Sequence, residues 1–361
     1  MIFTILNVAY PLAPVRDDTA GGAEHVLSMI DSALVKAGHK SLVIASEGSS
    51  PSGILLPTPA YTGKINSSVE KNAHLSHKKA IDRALDNWDI DLVHMHGIDF
   101  DSYIPDPGIP VLVTLHLPIQ WYNERSFFLK RPDTYLNCVS RSQMQSAPAA
   151  HNMVPYIENG VVISDYIIDK NIKGDFALSL GRVCEEKGYH CALDAAKIAN
   201  IKLIIAGELF PYEYHQQFFY HEILPRLDNN RYKFIGPVGK EKKKDLLSKA
   251  RCLLVPSLVP ETSSLVAMEA LASGTPVIAY PQGALKEIIE DNKTGFLVNS
   301  IDEMAQAINK IDEIDPNLCR KTAEKRFSAD IMIKKYFDLY DKIIKKTIHL
   351  PQQVLRRLPY E

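Results

Sequence analysis

The chain has 361 residues, of which 46% are hydrophobic and 23% are charged, and its formal net charge is −2. This length favours two domains over one hydrophobic core, and the composition is close to that of an average soluble globular protein. The small net charge argues against a nucleic-acid partner, because no overall field would draw the chain to a phosphate backbone.

The first half of the chain alternates predicted strands and helices. The apolar run 2–8 predicts a buried strand, and apolar residues at helical spacing from Gly22 to Ala37 predict a helix that ends at Gly38. A second strand at 41–46 completes a βαβ unit, which requires a parallel sheet. Short apolar runs predict further strands at 90–97, 110–116 and 135–140. The polar segment 49–78, rich in Ser, Pro and Gly, is predicted to be a long surface loop.

The second half repeats this alternation after a weakly periodic stretch that ends near residue 175. Strands are predicted at 176–183, 202–207, 232–236, 252–257 and 294–299, with helices at 189–199, 240–250 and 301–311 and a helix followed by a strand within 256–283. The pattern predicts two doubly wound α/β domains, which we place at 1–168 and 169–329. A last helix and a loosely held tail, 330–361, are expected to return to the first domain.

Residues that directly follow strands are the candidates for function, because ligands of open parallel sheets bind beyond the carboxyl ends of the strands. Gly21 and Gly22 in "TAGGAEH" precede the first helix, where paired glycines let backbone amides approach a phosphate; a flexible turn is the alternative. Arg182 and Lys187 in "SLGRVCEEKG" suit a diphosphate, although in isolation an ordinary solvated loop explains them better.

Three histidines lie on or after predicted strands. His94 and His96 share one face of a strand, as two metal ligands would, but no nearby Cys, Asp or His completes a set, so no metal site is predicted there. His116 ends a strand and is expected to face the ligand cleft. The alternative for His116 is a histidine that is merely hydrogen-bonded at a strand end.

Two acids bracket the start of a helix in "PSLVPETSSLVAMEALASG". Glu261 lies in the loop and Glu269 lies on the helix. A solvated loop acid would explain Glu261, but Glu269 is surrounded by apolar residues, and a buried glutamate is rare unless it is paired. A carboxylate beside a helix N-terminus can hold hydroxyls, while the exposed amides of the first turn can hold an anion.

Taken together, these motifs resemble those of the retaining glycosyltransferases of family 4, over nearly the whole chain. The resemblance rests on the order and spacing of "GGAEHVLSMIDSALVKAGHKSLVIAS", "IENGV", "GRVCEEKG" and "PETSSLVAMEALASGTPVIA". It implies the GT-B fold, in which two Rossmann-like domains face each other across a cleft, with a hinge near 160–175. The sequence departs from the usual pattern in Thr262-Ser263-Ser264, where the family often has an aromatic residue and a glycine, and in "AGELF".

The resemblance also implies a role for each candidate residue. Glu269 would hold the ribose of a nucleotide sugar, Glu261 the hydroxyls of the transferred sugar, and His116 would lie beside the anomeric carbon. Gly21 or Gly22 would touch the diphosphate or the sugar, and Val238 would pack near the base. The diphosphate itself would be held by Arg182, Lys187 and the backbone amides of Thr262, Ser263, Ser264 and Leu265.

The implied reaction is a retaining, hexosyltransferase-type transfer by front-face displacement, without a metal or another cofactor. Uridine diphosphate is the favoured nucleotide. The identity of the acceptor is left open: it is a carbohydrate, a lipid-linked molecule or a small molecule of glycan or glycolipid biosynthesis. Two alternatives remain open as well: a nucleotide-sugar epimerase of GT-B-like fold, and a protein that binds nucleotide sugars without turnover. A nicotinamide oxidoreductase is disfavoured because the dinucleotide fingerprint is missing.

The expected location is the cytoplasm. The N-terminal sequence lacks the basic flank of a signal peptide, and no apolar run approaches the roughly 20 residues of a membrane span. The scattered cysteines (Cys138, Cys184, Cys191, Cys252 and Cys319) are expected to be reduced thiols. Peripheral membrane contact is left open by basic residues, namely Lys242 to Lys244, Lys342, Lys345, Lys346, Arg356 and Arg357.

Overall fold

The computed structural model describes residues 2–16, 21–61, 63, 65–168 and 173–348. The chain folds as two compact units, one formed by Met1–Ile157 with Ile333–Glu361 and the other by Glu158–Met332. Each unit is built on one parallel β-sheet with connecting helices, so the predicted Rossmann-like α/β architecture is confirmed. The division after Ile157 lies earlier in the chain than the predicted boundary at residue 168.

The segment after Ile157 belongs to the second unit because its hydrogen bonds lie there. The amide of Val161 donates to the carbonyl oxygen of Phe327 at 2.8 Å, and the amide of Ala329 donates to the carbonyl oxygen of Val161 at 2.9 Å. Arg320 donates to the carbonyl oxygen of Tyr166 at 2.6 Å. These partners lie far along the chain, so the local periodicity of this segment could not reveal them.

The first unit contains a seven-stranded parallel sheet in the order β3-β2-β1-β4-β5-β6-β7. Its strands are β1 (Thr4–Val8), β2 (Lys40–Ser46), β3 (Ile54–Thr58), β4 (Leu92–Met95), β5 (Val111–Leu115), β6 (Thr134–Cys138) and β7 (Met153–Val154), and its helices are α1 (Gly22–Lys36), α2 (Ser67–Asn87) and α3 (Arg141–Ser146). The central strands are apolar runs buried along nearly their whole length, as in a parallel sheet covered on both faces. Helix α1 is followed by Gly38, whose φ of +78° only glycine adopts cheaply.

The predicted surface loop at 49–78 is wrong, because this segment holds β3 and the first half of α2. Strand β3 lies at the sheet edge, where Pro57 is tolerated, since a proline lacks the amide that an inner strand needs. Asn66 caps α2 by accepting hydrogen bonds from the amides of Ser68 and Val69. The helix buries only a narrow stripe, Ala73, His77, Ile81 and Ala84. Its polar composition therefore concealed it.

The second unit contains a six-stranded parallel sheet in the order β10-β9-β8-β11-β12-β13. Its strands are β8 (Phe176–Leu180), β9 (Lys202–Ala206), β10 (Tyr232–Phe234), β11 (Cys252–Val255), β12 (Val277–Ala279) and β13 (Gly295–Leu297). Its helices are α4 (Tyr189–Ile198), α5 (Glu213–Phe218), α6 (Lys240–Lys249), α7 (Leu265–Ala272), α8 (Leu285–Ile288), α9 (Ile301–Asn309) and α10 (Pro316–Arg326). Sequence periodicity missed α5 and α8, which are short, and α10, which is polar.

The last helix, α11 (Ala329–Ile344), carries two buried tyrosines that pack in the first unit. The hydroxyl of Tyr340 is hydrogen-bonded to His94 at 2.7 Å, and that of Tyr336 donates to Asn137 at 3.2 Å. The tail from residue 349, with Arg356 and Arg357, lies outside the described residues. Within the described part of the chain, every helix is too short or too polar to cross a membrane.

Candidate functional site

The loops that follow β8 and β11 lie side by side at one edge of the second sheet, because these strands are neighbours and run parallel. The amide of Leu258 donates to the carbonyl oxygen of Glu186 at 2.8 Å. Gly188 makes this approach possible: its φ is +65°, and a Cβ there would lie 2.1 Å from the carbonyl oxygen of Pro256. Two of the predicted motifs, "GRVCEEKG" and the segment that carries Glu261, therefore meet.

Glu261 is held by a cation and a hydroxyl at this meeting point. Lys187 Nζ lies 2.6 Å from Glu261 Oε1, and Ser257 Oγ donates to the same oxygen. The side chain of Glu261 is 12% exposed, so it keeps a small accessible surface. Lys187, which was predicted to bind a diphosphate, is thus paired with Glu261 within the chain.

Arg182 differs from Lys187 because its guanidinium is exposed and forms neither a hydrogen bond nor an ion pair with the described residues. It lies directly after β8 and Gly181, at the edge of the sheet that carries Glu261. An exposed arginine at this place, without a direct ion-pair partner among the described residues, is able to receive an anion.

Glu269 is buried on α7 and has two partners. Its side chain is 3% exposed, and Lys243 Nζ on α6 lies 2.7 Å from Glu269 Oε1. Burial, with the charge and hydrogen bond of Glu269, raises the pKa of the Tyr166 hydroxyl well above its ordinary value. The pairing answers the question raised by an acid in an apolar helix: Glu269 is stabilised by an ammonium group and a phenol.

The basic run around Lys243 is compensated within the second unit. Lys240 and Lys244 contact Asp165 at 2.9 and 3.7 Å, and Lys242 contacts Asp245 at 3.5 Å. These contacts account for the run without an external anionic surface.

Three small residues, Thr262, Ser263 and Ser264, lie between Glu261 and the N-terminus of α7. Ser264 is the N-cap residue, but its side chain makes no capping hydrogen bond with the described residues. Ser263 Oγ is buried and has no hydrogen-bond partner there. The amides of the first turn, from Leu265 onward, lack partners within the helix. A ligand oxygen could satisfy both kinds of group. Thr262 is half-buried beside them.

Val238 lies in the loop after β10, on the far side of β9 from β8. It is half-buried and packs against the hydrophobic core of the second unit. Its position is compatible with an apolar contact to a ligand. Packing against the core is the ordinary structural alternative.

In the first unit, His116 belongs to a row of buried histidines. His116 Nε2 lies 3.0 Å from His96 Nδ1, with the rings stacked at 5.2 Å. Burial lowers the pKa of His116 to about 3, so the imidazole is neutral near pH 7. Both nitrogens of His94 are hydrogen-bonded, to Tyr340 and to Thr114, so His94 serves the packing of the unit.

Gly21 and Gly22 begin α1, as the sequence predicted, while Thr19 and Ala20 of the same motif lie outside the described residues. A Cβ on Gly21 would lie 1.9 Å from Glu24 Oε2, so the carboxyl group of Glu24 packs against this glycine. Burial raises the pKa of Glu24. The sequence analysis did not foresee this acid.

Sequence reasoning also missed the partners of the candidate residues. Lys243 belongs to a basic run that is evident in the sequence. It lies four residues before the buried Leu247 and therefore shares a face of α6 with it, so this spacing could have indicated that Lys243 lies near the sheet. Tyr166 carried no such signal, because its partner Glu269 is distant in the sequence. His96 was noted as a histidine on a strand face, but its contact with His116 was not predicted, and Ser257, four residues before Glu261, was not singled out.

Two family models and several known proteins match parts of this chain. Residues 166–327 match the family model "Glycosyl transferases group 1", and residues 20–154 match "Glycosyltransferase Family 4". Over 271 residues the chain is 26% identical to the alpha-1,3/1,6-mannosyltransferase ALG2 of Dictyostelium discoideum, covering 68% of this chain and 63% of that protein. The chain thus spans less than two thirds of this relative, and 45% and 17% of two others.

Two solved structures show the fold. AviGT4, a glycosyltransferase involved in avilamycin A biosynthesis, is 23% identical with a TM-score of 0.70, covering 95% of this chain and 98% of its own. Anabaena Alr3699/HepE, solved in complex with UDP and glucose, is 18% identical with a TM-score of 0.73, covering 94% and 99%.

Proposed function

Because the chain belongs to the glycosyltransferases that these two family models describe, we propose that it transfers a sugar from a nucleoside diphosphate sugar to an acceptor hydroxyl. One observation carries the proposal: Glu261 and Glu269, each held by a lysine, flank the uncapped N-terminus of α7. Carboxylates accept hydrogen bonds from hydroxyls, and a helix N-terminus attracts an anion. A nucleotide sugar presents hydroxyls on both sides of a diphosphate.

Glu269 is assigned to the ribose. Lys243 and Tyr166 hold its carboxylate in one orientation, and a buried, fixed acceptor selects a pair of hydroxyls more sharply than a mobile one. Val238 is assigned to the neighbourhood of the base.

The diphosphate is assigned to the start of α7 and to Arg182. The amides of Thr262 to Leu265 and the buried hydroxyl of Ser263 supply donors, and the exposed guanidinium supplies charge. Lys187 adds a second cation, which Glu261 already positions at 2.6 Å. These groups would stabilise the charge that develops on the leaving diphosphate.

Glu261 is assigned to the hydroxyls of the transferred sugar, and His116 to its reacting end. A neutral imidazole can polarise a hydroxyl by hydrogen bonding, and His96 fixes the orientation of its ring. Gly21 or Gly22 would touch the sugar or the diphosphate through the backbone.

We further propose that the transfer retains the anomeric configuration, with the leaving diphosphate oxygen taking the acceptor proton, and that it needs no metal. Uridine diphosphate is the preferred nucleotide of the proposal, supported by the UDP bound to the HepE structure. The acceptor is a carbohydrate, a lipid-linked molecule or a small molecule.

A binding and turnover experiment tests the proposal. Thermal unfolding is measured with a panel of nucleoside diphosphates and nucleotide sugars, since a ligand at 100 times its Kd stabilises the folded state by about 2.7 kcal/mol. Glu269→Ala should abolish the shift, whereas Glu241→Ala, which removes an exposed glutamate paired with Lys244 at 3.0 Å, should preserve it.

The outcomes separate the alternatives. Release of nucleoside diphosphate with sugar appearing on an added acceptor supports transfer. A changed sugar without acceptor would identify an epimerase, and binding without any product would identify a nucleotide-sugar sensor. Equal shifts in both variants would remove Glu269 from the site.

A further inference from the structure

A group of three side chains beside β8 and β9 has the composition of a metal site. A thiol, a carboxylate oxygen and an imidazole nitrogen, from Cys184, Glu186 and His215, all lie within 4.8 Å of one another. Cys184 and Glu186 belong to the loop after β8, and His215 belongs to α5. The loops after β8 and β9 are tied by the amide of Val183, which donates to the carbonyl oxygen of Glu208 at 2.9 Å.

Two of the three side chains have unsatisfied polar atoms. His215 Nδ1 and Glu186 Oε2 are buried without a hydrogen-bond partner among the described residues. His215 is 1% exposed, as is Cys184. Buried polar atoms are nearly always paired, so two unpaired acceptor-capable atoms in one small space indicate a missing partner. A cation would satisfy both.

We propose that Cys184, Glu186 and His215 bind one zinc ion. Thiolate, imidazole and carboxylate are the ligands that zinc takes in proteins, and a thiolate disfavours magnesium and calcium. The thiolate and the carboxylate together balance the two charges of the ion. Tetrahedral ligands at about 2.0 to 2.3 Å from zinc lie roughly 3.5 Å apart, so small side-chain rotations would bring the three atoms into range.

The surroundings suit a fixed site with one open position. The ring of His215 packs against Tyr214 and Tyr212, with centroids at 4.3 and 5.3 Å, which restrains its orientation. Glu186 is half-buried and provides a route from solvent. Three protein ligands leave a fourth place for water. The ion would fasten α5 to the loop that carries Arg182, and it takes no part in the proposed transfer.

Metal binding is tested on the tag-free, reduced full-length chain after removal of metals with a chelator. Zinc titration by calorimetry should give one site per chain, and cobalt should give a thiolate-to-metal charge-transfer band with tetrahedral visible bands. Cys184→Ser should abolish the thiolate band and weaken zinc binding by about 100-fold or more, since loss of even an outer partner of a metal ligand costs about 10- to 100-fold.

Controls keep the proposal falsifiable without any activity assay. Cys191→Ser makes the same change at another buried cysteine and should leave binding intact. Glu186→Gln, at a half-buried position, should weaken binding even if Cys184→Ser lowers stability, and circular dichroism of the metal-free variants checks folding. No saturable zinc site, a cobalt spectrum without the thiolate band, or equal zinc affinity in wild type and Cys184→Ser would each overturn the proposal.

Discussion

Lys243 and Glu269 form an ion pair of 2.7 Å between α6 and α7, in which the side chain of Glu269 is 3% exposed and that of Lys243 is 29% exposed. The pair is asymmetric, because the side chain of Lys243 is partly exposed while that of Glu269 is almost fully buried. The Tyr166 hydroxyl is the other partner of the carboxylate, so the segment before β8 is linked to α7 at the same residue. Stability and the proposed ribose contact therefore depend on one carboxylate.

Removing the ammonium should be costly. Lys243→Met leaves the buried Glu269 charge without its cation, and we expect a loss of about 3 kcal/mol in the free energy of unfolding. Lys242→Met, which breaks an exposed pair of 3.5 Å with Asp245, should cost less than about 1 kcal/mol. Urea denaturation of both variants measures the difference. Similar losses in the two variants would show that the buried pair contributes no more to the free energy of unfolding than the exposed pair does.

The contact between the two loops of the candidate site can be tested at a glycine. Gly188→Ala adds a Cβ that would lie 2.1 Å from the carbonyl oxygen of Pro256, at a φ of +65°. Gly236→Ala adds the same group at a φ of +71° with nothing within 4 Å, so it carries only the backbone cost of about 1 to 2 kcal/mol.

The difference between the two alanine variants isolates the steric contact. We expect Gly188→Ala to be destabilised by about 2 kcal/mol more than Gly236→Ala, and to lose the arrangement of Lys187 with Glu261. Thermal unfolding at one pH gives both values. If the two variants unfold alike, the loops separate freely and Gly188 does not hold them together.

Local sequence patterns predicted the strands and helices whose burial shows in their own residues. The apolar runs of β1, β5 and β8 and the periodicity of α1 were readable, because burial on both faces or on one stripe leaves its mark in the sequence. Helix α2 was not, since it buries a histidine and few apolar residues. For the candidate site, the residue types and their positions after strands pointed to the acids and cations, and the apolar neighbours of Glu269 showed that a buried glutamate would need a partner. The sequence did not show that Lys243 is this partner, because a residue 26 positions away leaves no local pattern.

The His96–His116 contact predicts a positioning role within the proposed reaction. His96→Ala removes the group 3.0 Å from His116 Nε2, so the ring of His116 loses one of the contacts that hold its orientation. We expect kcat to fall by about 10- to 100-fold while nucleotide affinity, measured by calorimetry, is unchanged. His74→Gln, which alters a histidine paired with Asp99, serves as the control. A matching loss of nucleotide affinity in His96→Ala would indicate general disruption.

The buried histidines should make stability fall in mild acid. Burial lowers the pKa of His77 to about 4 and that of His116 to about 3, and lowers those of His94 and His96 as well. The folded state therefore binds fewer protons than the unfolded state, whose histidines titrate near pH 6.5. Their contribution is fully present above about pH 6.5 and is lost as the pH falls toward the folded-state pKa values.

The magnitude follows from the same linkage. Each such histidine lowers the free energy of unfolding by up to about 1.4 kcal/mol per pH unit in that window. Urea denaturation between pH 7 and pH 5 should show this slope, and His77→Leu should reduce it by the share of one histidine, because Leu cannot bind a proton. An unchanged slope in His77→Leu would mean that His77 becomes protonated without unfolding, and that the interior of the first unit admits a charge.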